Sequence, residues 1–388
     1  MAPGRHAVAA DAVFDGAELR RDAAVVIQGT DIAAVVPRRE LPAGLAVRQM
    51  PEGAWLAPGF IDLQVNGGGD VLFNDAPTPE GIAAIAAAHR RFGTTSLLPT
   101  LITDTPDKMR AAFGAVQEMA GTHPGILGIH FEGPFLSPER PGVHDPALIR
   151  LPDGADMALL TGPRRGVMLV TLAPERMPSG FIARLTSSGV RVALGHSNVT
   201  YEESKAAFAE GLTGVTHLFN AMPPLASRAP GPIAATLETP GVWFGMIADG
   251  EHVAPAMLRL ALRGAATPML VTDAMPPVGG SGAPFRLGGA EIAVGGGRLS
   301  RADGVLAGST LDMGSAVRNT VQLLGLPLAE ALRLAAATPA AFLGIDDRLG
   351  HLRSGYRADI VALDPERVEV IASWVAGSAA FAVELGPP

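Results

Sequence analysis

The chain has 388 residues, 48% of them hydrophobic and 18% charged, with a formal net charge of −8 and no cysteine. Its length suits one large core plus a smaller one. The negative balance argues against nucleic acid as a partner, and the missing thiols exclude disulfides, cysteine-ligated zinc and iron–sulfur clusters. Any metal must therefore sit on His, Asp, Glu and water. Residues 1–10 hold no apolar run of the signal-peptide kind, and no uninterrupted apolar stretch of about 18 residues occurs, so a soluble, cytoplasmic protein without a membrane partner is expected.

In chain order, residues 7–14, 23–28 and 32–36 read as short strands joined by Asp15-Gly16 and Gly29-Thr30-Asp31 turns. From residue 58 the pattern changes to strands alternating with helices. Eight apolar runs, at 60–65, 95–100, 126–132, 167–173, 191–196, 214–219, 243–249 and 269–273, have the character of buried parallel strands. Between them, Thr78-Pro79-Glu80 opens an Ala-rich helix that ends at Gly93. Thr200 and Glu203 form a capping box, and that helix stops at Gly211. Eight such units in succession predict an α/β fold, a TIM-like (β/α)8 barrel over 58–351. A β excursion is expected near 284–306 and a further helix over 328–342. Strands at 358–363 and 368–375 resemble the opening ones. Neither end is large enough to be stable alone, so 1–57 and 352–388 are expected to pair into one small β-sandwich domain.

In a barrel of this kind the reacting groups project from the C-terminal ends of the strands. Strand three ends in Glu132, strand five in His196, strand six in His217 and strand eight in Asp273. One carboxylate and two imidazoles make a three-ligand metal site with a position open for water, as catalytic zinc requires. Asp273 can then move protons. A lone histidine is more often structural than a ligand, but two of them close consecutive strands here. His130 shares the inward side of its strand with Glu132 and is read as filling the barrel below it. Gln64 and Asn66 close strand one, where imidazoles would complete a second metal position. Amides bind divalent ions poorly, so one ion with a vacant neighbouring position is expected. Zinc is the default, although Fe2+, Co2+ and Mn2+ accept similar ligands.

Several runs together resemble the N-acetylglucosamine-6-phosphate deacetylases of the amidohydrolase superfamily. They are PGFIDLQVNG at 58–67, HFEGPF at 130–135, GHSN at 195–198, THLFNAM at 216–222, DGEH at 249–252, VTD at 271–273, LAGS at 306–309 and LGHLRSGYRADIV at 349–361. Each is weak alone, and their order and number make the set specific. The resemblance implies hydrolysis of an acetamide to glucosamine 6-phosphate and acetate, with Glu132, His196 and His217 as metal ligands and Asp273 as general base, then acid. It also implies that His144 polarises the acetyl carbonyl, and that Asn220, the backbone of Ala221, Arg228 and His252 hold the sugar phosphate. A homodimer is implied as well, with Arg228 or His252 acting across its interface. An arginine fork suits a phosphate, and Arg228 has no acidic neighbour in its loop. Three alternatives stay open: the galactosamine isomer as substrate, a different amidohydrolase reaction, and a catalytically dead sugar-phosphate-binding homologue.

Overall fold

The protein is described by a computed structural model covering residues 4–383. It divides into two compact units. One holds the residues up to Asp62, His89–Leu97 and the residues from Asp312 onward; the other holds Leu63–Ala88 and Leu98–Leu311. The described part of the expected terminal domain, 4–57 with 352–383, lies inside the first of these; the remainder of that expectation, 1–3 and 384–388, falls outside the described residues.

The first unit is organised by an eight-stranded sheet. Arg5–Phe14 pairs antiparallel with Leu19–Gln28, which pairs with Asp31–Pro37. The two chain ends meet at Trp55–Pro58, which runs parallel to the first strand and antiparallel to Ile360–Asp364. The meeting strand escaped the sequence reading because WLAP is short and ends in proline. Val8, Val25, Ile27, Leu56, Ile360 and Trp374 join in one buried cluster, each full burial contributing about 1.5–3 kcal/mol. At the first hairpin, Asp15 accepts from the amides of Ala17 (3.0 Å) and Glu18 (2.8 Å), and Gly16 takes the left-handed conformation (φ +98) that a side chain resists.

The second sheet is the barrel. Phe60–Val65, Thr94–Ile102, Gly128–Glu132, Val167–Leu172, Arg191–Leu194, Gly214–Val215, Trp243–Met246 and Thr267–Leu270 stand side by side in sequence order. The pairs between the third and eighth strands are all parallel. A parallel bridge from Val65 to Ala274 closes the circle, with the Asn66 amide donating to the Ala274 carbonyl at 2.9 Å. The Thr200/Glu203 capping box is present, opening the helix Tyr201–Ala209. The excursion after the eighth strand is a four-stranded antiparallel sheet, Phe285–Leu287, Ala290–Gly295, Arg298–Ser300 and Leu306–Ser309.

Two expectations needed correction. The strands expected to reach His196, Phe219, Asp249 and Asp273 stop at Leu194, Val215, Met246 and Leu270. The chain turns left-handed at His196 (φ +47), His217 (φ +29), Phe219 (φ +82) and Asp273 (φ +53), and such residues leave the ladder. The helix expected over 328–342 is two helices, Leu328–Ala335 and Ala337–Leu343, broken at Ala336 (φ −133, ψ −71). Pro339 has no amide to give to the Ala335 carbonyl, and its ring collides with that carbonyl in a continuous helix.

Strands three and four touch where Gly128 (φ +155) pairs with Val167, and a Cβ at 128 would run into the Val167 carbonyl. Gly128→Ala is expected to cost on the order of 3 kcal/mol, read as a lower midpoint in thermal or denaturant melts. Gly114→Ala, exposed in the helix Pro106–Met119 with nothing near its Cβ position, is expected to gain about 0.5–1 kcal/mol in the same assay.

Candidate metal-dependent active site

All the residues singled out above, except Gln64, His130 and Arg228, line a single cavity of about 420 Å³ at the strand ends. A cavity of similar size, about 400 Å³, lies in the terminal unit beside Arg91, Asp312 and Arg318 and holds none of them.

At the cavity floor Glu132, His196 and His217 converge, all three buried. Glu132 Oε1 lies 3.0 Å from His217 Nε2 and 3.2 Å from His196 Nε2, and the two ring nitrogens are 3.1 Å apart. The protonation of His196 follows from its other nitrogen. Nδ1 sits 3.0 Å from the Arg140 carbonyl, which only accepts, so Nδ1 carries a proton and Nε2 is the ring atom left to meet Glu132. A buried carboxylate oxygen thus faces two imidazole nitrogens within 3.2 Å. A buried anion must be answered by positive charge, and a carboxylate with two imidazoles is a donor set that fits a divalent ion. Burial works to raise the Glu132 pKa, but the hydrogen bonds and charges of His196 and His217 hold it well below the ordinary carboxylate value. Burial equally opposes a charge on His217, yet Glu132 raises its pKa. Both shifts express an anion seeking a positive partner.

Gln64 and Asn66 act as donors. Gln64 Nε2 lies 3.0 Å from each oxygen of Glu132 and 3.2 Å from Asp273 Oδ1. Asn66 Nδ2 donates to the same Asp273 oxygen at 2.6 Å. The amides thus present N–H groups to the two carboxylates in the neighbourhood where a second cation would otherwise be needed. Burial and the Glu132 charge push Asp273 up to about 6, against the opposing pull of His217, His252 and Asn66. A carboxyl poised there can accept and return a proton near neutrality.

His144 stands over the triad, its ring 4.3 Å from that of His196. Its Nδ1 accepts from the Thr103 amide at 3.3 Å, with the Thr103 hydroxyl at 2.7 Å. Burial, and then the charge of His196, hold its pKa well below the ordinary value. The ring is therefore neutral and carries its proton on Nε2, ready to donate to a carbonyl oxygen. His252 Nδ1 is 2.6 Å from Asp249 Oδ2. Burial opposes the charge on Asp249, but that hydrogen bond wins and lowers its pKa. His130 meets the Leu63 carbonyl (3.0 Å) and the Thr171 hydroxyl (2.8 Å), and burial lowers its pKa to about 4. It is a satisfied, neutral residue of the barrel interior. Arg228 is exposed, in the loop after Ala221, away from the cavity lining.

Three supporting residues were given no role in the sequence reading. Thr103 follows a strand whose end looked bland. Arg140 acts through its carbonyl, which has no sequence signature. Asp249 did carry a signal, its spacing of three residues before His252.

A model of the Amidohydrolase family matches residues 55–386. The chain belongs to the amidohydrolase family. As an amidohydrolase it is 43% identical to the N-acetylgalactosamine-6-phosphate deacetylase of Shewanella sp. (strain ANA-3), over 85% of this chain and 84% of that one. It is 36% identical to the N-acetylglucosamine-6-phosphate deacetylase of Haemophilus influenzae, over 94% and 96%. The crystal structure of the N-acetylglucosamine-6-phosphate deacetylase from Pasteurella multocida superposes with a TM-score of 0.93 at 32% identity, covering 97% of this chain and 99% of that one. For a mutant of the Mycobacterium smegmatis N-acetyl-D-glucosamine-6-phosphate deacetylase in complex with N-acetyl-D-glucosamine-6-phosphate, the TM-score is 0.88 at 37% identity, over 97% and 100%. No helix among the described residues is long and apolar enough to cross a membrane.

The donor arrangement predicts metal stoichiometry. Protein stripped with a chelator and titrated with a divalent ion is expected to bind one equivalent per chain. His196→Ala and His217→Ala should each weaken that binding by more than about 10-fold. Two tight equivalents in the parent protein would overturn the reading of Gln64 and Asn66.

Proposed function

We propose that this amidohydrolase deacetylates N-acetyl-D-glucosamine 6-phosphate, giving D-glucosamine 6-phosphate and acetate. The observation that carries the reading is the convergence of Glu132, His196 and His217 with Asp273 and His144 in one cavity. The names of relatives 36–43% identical support the substrate class. A divalent ion on Glu132, His196 and His217, zinc by default, with Fe2+, Co2+ or Mn2+ accepted by the same donors, supplies Lewis acidity and lowers the pKa of water.

The protein's own groups do the rest. His144 Nε2–H donates to the acetyl oxygen as negative charge develops on it. Asp273, steered by Gln64 and Asn66, takes a proton from the attacking water. It returns that proton to the amide nitrogen as the C–N bond breaks, so that the amine leaves neutral. Asn220, the backbone of Ala221 and His252 hold the sugar phosphate. Arg228, exposed on its own chain, serves a phosphate in a neighbouring subunit of a homodimer. The enzyme is cytoplasmic and has no nucleic-acid or membrane partner. Along the chain its domains are 1–57 with 352–388 and 58–351, although 58–62, 89–97 and 312–351 cluster by contact with the terminal unit, and every acting residue belongs to the barrel segment.

A second reading has its own support. The Shewanella relative, at 43% identity, is named for the galactosamine isomer. Parallel kcat/KM measurements on both isomers decide between them, and the reading given first expects the glucosamine substrate to be preferred. Asp273→Asn is expected to lower kcat by about 10²–10⁴-fold while Kd for substrate changes little; near parental turnover in that variant would sink the mechanism. Arg228→Ala should raise KM by about 10-fold without a matching fall in kcat. An unchanged kcat/KM would remove Arg228 from the phosphate site.

A further inference from the structure

The cavity has an apolar wall that the proposed chemistry does not use. Ile102, Val143, Met275 and Leu306 all line it. Each lies in the chain beside a residue that acts in the site or bonds to one that does. Val143 precedes His144. Ile102 precedes Thr103, whose amide donates to His144. Met275 stands two residues after Asp273. Leu306 opens the strand Leu306–Ser309, whose Ser309 amide donates to the Asp273 carbonyl at 2.9 Å and whose Ser309 carbonyl accepts from the Met275 amide at 3.1 Å. The wall therefore lies beside the groups that handle the scissile amide. The loops after strands six and seven, with Asn220 and His252, contribute the polar groups assigned to the sugar phosphate.

The wall is also held rigidly. Ile102 and Met275 are 6% and 1% exposed. Together with Val143 they pack against Leu287, Ile292, Leu299 and Ala307 of the four-stranded excursion. Gly308 (φ +62) lies so close that a Cβ there would stand 2.7 Å from Met275 Cγ and 2.8 Å from the Asp273 carbonyl. Only a glycine lets the methionine side chain and the catalytic loop pack this tightly.

We propose that this wall is the acyl pocket, and that the excursion, by bracing it, restricts the leaving acyl group to two carbons. The inference rests on the amide-hydrolase reading above. An acetyl methyl gains by contact with Met275 and Ile102, whereas an additional methylene must displace side chains that have no room to move. One methylene in a filled pocket discriminates by about 10–200-fold. A sugar ring seated against the same wall would leave no dependence on acyl length.

The test compares kcat/KM for the N-acetyl, N-propionyl and N-butyryl forms of glucosamine 6-phosphate. Each ratio is internal to one protein sample, so partial unfolding of a variant cancels. Met275→Ala and, from the opposite segment, Ile102→Ala are expected to raise the propionyl-to-acetyl ratio at least 10-fold, and Val143→Leu to lower it. The same ordering is expected in Kd for the intact substrates on an Asp273→Asn background. Ratios within twofold of the parent in both enlarged variants would overturn the acyl-pocket assignment while leaving the hydrolase reading intact. A parent protein that releases no acetate from the N-acetyl substrate would instead bring down the functional reading on which the pocket rests.

Discussion

A carboxylate buried at the closed end of a cavity has to be answered by positive charge, and much of the structure follows from how Glu132 is answered. Removing such a group from water costs several kcal/mol unless it is paired. Here the answer comes in two parts. Two imidazole nitrogens approach one oxygen from strands five and six, and the Gln64 amide donates to both oxygens from strand one. With Nε2 of both rings turned toward the same point, the triad has the donor set of a divalent-ion site. Asp273, next in line, is kept from full ionisation by the same burial and the same Glu132 charge, which is the property a proton carrier needs.

That electrostatic arrangement depends on backbone the barrel does not supply by default. His196, His217, Phe219, Ala221 and Asp273 all have positive φ, a conformation costing about 1–3 kcal/mol for a side-chain-bearing residue. The strands end just before these residues, and the strain is borne where the chain leaves the sheet. Closure of the barrel through Ala274 fixes the loop that carries Asp273. The Thr103–His144 and Arg140–His196 hydrogen bonds set which nitrogen of each ring bears a proton. The excursion packs its apolar face against the same loops, so the barrel end is braced from above as well as from within.

Much of the barrel was legible in the sequence because buried parallel strands leave a strong local signal: apolar runs at regular spacing, helices opened by Thr200/Glu203 or by proline, and polar residues gathered where the runs stop. Glu132, His196, His217 and Asp273 could be picked out for that reason. The kink at Ala336 was in principle legible too, since Pro339 announces it. The true strand ends were not, because left-handed histidines have no pattern of their own.

What the sequence determined by itself was the roster: which side chains of ligand and proton-transfer type stand at strand ends, and that amides occupy positions 64 and 66. These follow from residue type and periodicity, which are local. What only the tertiary structure decided was how those side chains meet. It brought residues 132, 196 and 217 to within hydrogen-bonding distance, joined Gln64 to Glu132 and Asp273, seated His144 on Thr103, left Arg228 outside the cavity, and set an apolar wall beside the reacting groups. Those are contacts between residues tens to hundreds of positions apart. They exist because a closed barrel forces eight strand ends around one point, and no local pattern records which side chains then touch.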